Sequence, residues 1–162
     1  MSISVGERLP EATMLRMGET GPEQVALSEF LAGRKVVIFG LPGPFTSTCT
    51  AAHLPSFMRT RAAFSEKGVD EVICYAVTDP WVMDAWSRDT GAGAAGITML
   101  ADGDGSYTRA IGMAFDAPAV GFHGRAMRHA MVVEDGVVKV LNVETARGVC
   151  EMTAGETLLE QV

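Results

Sequence analysis

RHAMVVEDGVVKVLNVE, residues 128–144, decides the kind of sheet this chain builds, because two apolar runs meet at Asp135-Gly136. An Asp-Gly pair between branched, apolar runs is a hairpin signal: both turn residues must take positive φ, which glycine adopts freely and aspartate tolerates. The stretch therefore predicts two antiparallel strands. Upstream the pattern changes. KVVIFG (35–40), EVICYAV (71–77) and ITMLAD (97–102) are short apolar runs that read as buried strands. Helical spacing separates them. Ala51, Leu54, Phe57, Met58 and Phe64 suit a helix from about Ser47 to Lys67, stopped by Gly68, with Pro55 inside it and expected to bend it. Asp79-Pro80 opens another helix carrying Val82, Ala85 and Trp86. A turn at Gly103–Gly105 leads to a short helix through Ile111, and a last helix covers roughly Ala154 to Gln161.

Strands alternating with helices, then a hairpin and a helix, predict an α/β fold with a mixed central sheet and helices on both faces. That order is the thioredoxin-like pattern. The 162 residues suit a single domain, 1–162, with no repeat or linker, and 48% hydrophobic content with 20% charge fits a packed core. A net charge of −7 argues against nucleic acid or an anionic membrane as partner. Residues 1–19 hold no basic stretch followed by an apolar run, and no span approaches membrane length. The expectation is therefore a cytoplasmic protein with reduced thiols, in which Cys49, Cys74 and Cys150 form no permanent structural disulfide.

Between the first strand and its helix lies GLPGPFTSTCTAAHLPSF (40–57), in which Cys49 falls in the first helical turn with Ser47 or Thr48 as expected N-cap. Unpaired backbone N–H groups there favour the thiolate. An ordinary cysteine is only a few per cent thiolate at neutral pH, and making it mostly thiolate takes about 2.5 pKa units, or about 3.4 kcal/mol. A helix start supplies about 0.3–1 kcal/mol, up to about 2 in good geometry. A cation from elsewhere in the chain is required. Even then, nucleophilicity falls as pKa falls, so the net gain is only a few-fold. Fast chemistry needs groups that stabilise the transition state, and the Thr46 hydroxyl is near in sequence.

Pro42, Thr46 and Cys49 form the P-x-x-x-T-x-x-C signature of peroxiredoxins, and PGPFTSTCTAAHLPSF resembles the corresponding segment of their type 5 (plant type II) subfamily. The resemblance continues through GVDEVICYAVTDPWVMDAW (68–86) and RHAMVVEDGVVKVLNVE, so it covers most of the chain in order. It implies a thioredoxin-fold peroxidase for hydrogen peroxide and alkyl hydroperoxides. Cys49 matches the peroxidatic cysteine, which becomes a sulfenic acid. Thr46 matches the residue whose hydroxyl holds thiolate and peroxide together, and Pro42 the residue that shields the pocket. Arg128 matches the arginine that lowers the thiol pKa and polarises the peroxide; spacing alone does not choose between it and Arg125. Departures are Pro44 for alanine, Ser47 for proline, and His129 for an aromatic residue. The resemblance implies a homodimer, with no cofactor and no metal.

For recycling, Cys150 matches the position of the resolving cysteine in animal type 5 enzymes, and Cys74 a cysteine suggested for plant members. Cys74 reads more readily as a core residue. The remaining route is direct attack on Cys49 by glutathione, glutaredoxin or thioredoxin. Two other functions stay open on the residues. One is a redox-regulated binding or chaperone protein on the same fold with little turnover. The other is a hydrolase or metal site built on Cys49 and His53, one helical turn apart, although the further ligands or orienting acid are not visible. His53 reads first as a structural helix residue.

Overall fold

In a computed structural model describing residues 2–162, the chain runs β1 (Thr13–Gly18), β2 (Gly21–Ala26), α1 (Leu27–Leu31), β3 (Lys35–Gly40), one wide π turn (Cys49–His53), α2 (Leu54–Glu66), β4 (Glu71–Ala76), α3 (Pro80–Thr90), β5 (Thr98–Ala101), α4 (Ser106–Ala110), β6 (Ala114–Ala117), β7 (Phe122–Ala126), β8 (His129–Glu134), β9 (Val137–Val143) and α5 (Gly155–Leu159). Seven strands form one sheet in the order β2-β1-β5-β4-β3-β8-β9, and β6 pairs with β7 apart from it. β3, β4 and β5 are parallel, while β8 joins β3 antiparallel. This is the mixed thioredoxin-like sheet that the hairpin implied. Asp135 and Gly136 both take positive φ (48° and 78°), so the two-residue turn twists with its strands.

The short apolar runs are buried on both sides because helices cover both faces. Along β3, Val37 and Phe39 face a core shared with Phe57 and Phe64 of α2, Trp86 of α3 and Leu158 of α5. Val36 and Ile38 face the other core, shared with Leu31 of α1, Tyr107 of α4 and Ile111 just after it. Strand alternation thus divides one apolar run between two cores. Close packing needs glycine at Gly40, where a Cβ would lie 2.5 Å from the His129 ring and 2.6 Å from that of Tyr75. Gly155 plays the same part where α5 crosses α2: a Cβ there would lie 2.5 Å from the Ser56 carbonyl oxygen.

Two expectations change at the helix that follows β3. Pro55 does not interrupt it, because it sits in the first turn of α2 behind the π turn. There Leu54 N–H reaches back five residues to the Cys49 carbonyl, and the hydrogen-bond shift that proline requires is absorbed before the regular helix begins. The expected N-cap also moves. Ser47 and Thr48 are already helical, and the first helical bond runs from Thr50 N–H to the Thr46 carbonyl (3.0 Å). The Thr48 hydroxyl instead donates to the Gly148 carbonyl (3.0 Å) in a distant loop.

Candidate active site

Pairing between β3 and β8 positions the site. Gly40, the last residue of β3, pairs with His129, the first of β8. Arg128 therefore emerges beside the loop that leads to Cys49, although the two residues lie far apart in sequence. Its guanidinium is buried at 7% exposure and divides its donors. Nη2 points to Cys49 Sγ at 3.5 Å, and Nη1 donates to His53 Nδ1 at 3.0 Å. Because a guanidinium only donates, His53 Nδ1 must accept, and its Nε2–H donates to the Thr153 carbonyl (3.1 Å). The neutral tautomer is fixed. Burial first, then the charge of Arg128, holds His53 well below the usual imidazole range.

This geometry answers the cysteine–histidine alternative. Neither His53 nitrogen is free to take a proton from Cys49, so a hydrolase base is missing. Among the described residues no group of three or more His, Cys, Asp or Glu is placed to hold a metal.

Thr46, Pro42 and Cys49 line one cavity of about 330 Å³ together with Arg128, Phe122, Val120 and Arg147. The Thr46 hydroxyl donates to the Gly43 carbonyl (2.6 Å), which leaves its lone pairs as acceptors. Phe45, in the same loop, takes a left-handed φ of 65° and is exposed, a conformation that a non-glycine residue holds only when its surroundings fix it. Arg125 does not reach the thiol: it donates to the Pro42 carbonyl (2.9 Å) and stacks over Phe122 at 4.9 Å. It braces the loop, a task that its spacing in sequence did not reveal.

The other two cysteines lie in different surroundings. Cys74 is fully buried in β4, on the same core face as Cys49, and burial pushes its thiol well above the ordinary range. Cys150 is half-buried in the loop 144–154 and is likewise raised by burial, while the charge of Arg128 pulls the other way. That loop behaves as a strap over the site. The Glu144 carboxylate accepts from the backbone N–H groups of Glu151, Met152 and Thr153 and from the Thr153 hydroxyl. Burial raises the Glu144 pKa, but these bonds outweigh it and leave it lowered. Neither Glu144 nor the strap was singled out in the sequence; a glutamate nine residues before a threonine carries no recognisable spacing.

The model of the Redoxin family matches residues 4–158. The rice (Oryza sativa subsp. japonica) chloroplastic Peroxiredoxin-2E-2 is 40% identical over 161 residues, spanning 97% of this chain and 72% of the relative. Mitochondrial Peroxiredoxin-2F of Arabidopsis thaliana is 40% identical over 84% of this chain and 67% of the relative. The crystal structure of reduced Prx3 from Vibrio vulnificus in complex with hydrogen peroxide superposes with a TM-score of 0.91 at 41% identity, covering 98% of both chains. The rice relative is chloroplastic and the Arabidopsis one mitochondrial, and this overturns the cytoplasmic expectation.

Proposed function

Because the chain belongs to the peroxiredoxins of the redoxin family and is a thiol-dependent peroxidase, we propose that Cys49 is its peroxidatic cysteine and that Arg128, Thr46 and Pro42 complete the pocket. The observation that carries this reading is the Arg128 guanidinium shared between Cys49 Sγ and His53 Nδ1. It supplies the cation that the thiolate needs, already desolvated and already oriented. Cys49 Sγ attacks the terminal peroxide oxygen, the O–O bond breaks, and the leaving alkoxide or hydroxide takes up a proton. The sulfur becomes a sulfenic acid and the peroxide is reduced to an alcohol or water. Thr46 accepts a hydrogen bond from the bound peroxide while Arg128 donates to the oxygens across which charge develops. His53 is a positioning residue that acts through Arg128. The binding-protein reading with little turnover is not favoured, since relatives matched over nearly the whole chain are peroxiredoxins.

Rapid mixing of reduced protein with hydrogen peroxide tests the site, and the structure supports one reporter over the other. Trp86 is fully buried and its indole N–H donates to the Thr50 hydroxyl (3.1 Å), next to Cys49; Trp81 is 63% exposed. The expected fluorescence change survives in Trp81→Phe and is lost in Trp86→Phe. A rate no faster than that of a free thiol would end the proposal for Cys49.

Peroxiredoxins reduce peroxides at the expense of thiols; for this chain the proposed reductant is thioredoxin, glutaredoxin or glutathione, and the proposed assembly a homodimer. Cys150 is the proposed resolving cysteine, ahead of Cys74, because a strap held by hydrogen bonds opens more readily than a central strand. Replacing Cys150 with serine is then expected to stop thioredoxin-driven turnover while the first oxidation of Cys49 proceeds. Unchanged turnover would rule out Cys150 and leave Cys74 or direct attack on Cys49.

A further inference from the structure

The Cys49 cavity has a neighbour. A second cavity of about 190 Å³ adjoins it, and the two share Pro42, Arg128, Arg147 and Gly148. Its remaining walls include Phe115, Met127 and Ala146, which are apolar. Two charged side chains besides Arg128 border it. The Glu144 carboxylate is already occupied by three backbone N–H groups and a hydroxyl. Arg147 makes no hydrogen bond and no ion pair among the described residues, and it lines both cavities. Hydrogen peroxide needs neither the apolar room nor the second cation. A hydroperoxide with an apolar tail ending in an anion would use both.

We propose that the second cavity receives the tail of an organic hydroperoxide that carries a carboxylate, and that Arg147 sets the preference for such acids over neutral hydroperoxides. The proposal rests on Cys49 as the nucleophile. Sγ bonds to the terminal oxygen, the O–O bond breaks, and the tail leaves as an alkoxide that takes up a proton from water. Sulfur is oxidised by two electrons and the peroxide is reduced to a hydroxy acid. Arg147 touches none of the reacting atoms. It acts on the far end of the substrate, so it belongs to recognition rather than to the chemical step.

The test compares a soluble, short-chain carboxylic acid hydroperoxide with its methyl ester, by rapid mixing at low salt. The acid is expected to react about two- to fivefold faster, the range for one exposed ion pair. That ratio should fall to about one in 1 M salt, where the screening length is about 3 Å. Arg147→Gln should abolish the ratio and Arg147→Lys should keep it. A ratio near one in the unaltered protein, or one that survives Arg147→Gln, overturns the proposal. Hydrogen peroxide serves as the separate control: if it is not consumed, the Cys49 reading itself fails; if it is consumed without acid preference, only Arg147's role fails.

Discussion

Cys49→Ser is expected to reduce peroxide consumption to that of buffer alone, a loss of at least about a thousandfold, because a serine hydroxyl at neutral pH offers almost no anion and forms no sulfenic acid. Neither remaining cysteine can take over. Cys74 is sealed in β4 and burial keeps its thiol protonated. Cys150 is half-buried and also raised, and Arg128 donates no hydrogen bond to it. The fold should survive the change, since the serine oxygen accepts from the Arg128 guanidinium where sulfur now does, and the substitution leaves the core without a cavity of any size. Two measurements check this together: peroxide consumption, and the thermal midpoint. More than a few per cent of residual turnover in a folded Cys49→Ser protein would move the nucleophile elsewhere, with Cys150→Ser in the same background as the deciding variant.

The legible parts of the fold were those in which one local rule decides. Asp135-Gly136 admits only a tight hairpin turn, and KVVIFG and EVICYA are too apolar to lie anywhere but between two cores. β1 and β2 went unread for a physical reason. β2 is an edge strand, GPEQVA, with Val25 as its one buried residue and with Pro22 and Glu23 blunting the edge, so it shows no alternation to read. β6 and β7 are short and pair only with each other. At the site, the loop and its cysteine were legible because Pro42, Thr46 and Cys49 are close in sequence. Contacts made across long separations were not: Arg125 with Pro42 and His53 with Thr153 depend on tertiary packing that no spacing records, and the Glu144 strap, though local, follows no recognisable sequence pattern. Arg128 is the intermediate case. The demand for a cation followed from the thiolate's energetics, while its delivery follows from the register between Gly40 and His129.

Arg128→Met tests that delivery, and the expected result is a fall of about a hundred- to a thousandfold in the rate of Cys49 oxidation by hydrogen peroxide, the usual effect of removing one preorganised donor from a water-poor site. Methionine keeps much of the stem's volume, so what is lost is the charge and the fork. Two consequences follow at once, because one guanidinium serves two partners. Cys49 loses the hydrogen bond at 3.5 Å and is left with the helix start, which on its own falls short of what a thiolate needs. His53 loses the donor to Nδ1 in a buried site, at a cost of about 1–3 kcal/mol of stability. With that charge gone, burial and the neighbouring His129 still hold the imidazole down but less strongly, so its titration should move upward, a shift visible by NMR of the ring protons. Arg128→Lys separates the two tasks. An ammonium keeps the charge but lacks the planar fork that reaches both partners, so its rate should lie between those of methionine and arginine. A purely structural arginine would give the stability loss and the histidine shift without the rate loss. A fall of less than about threefold in Arg128→Met would therefore remove Arg128 from the chemistry and leave it as the residue that fixes His53.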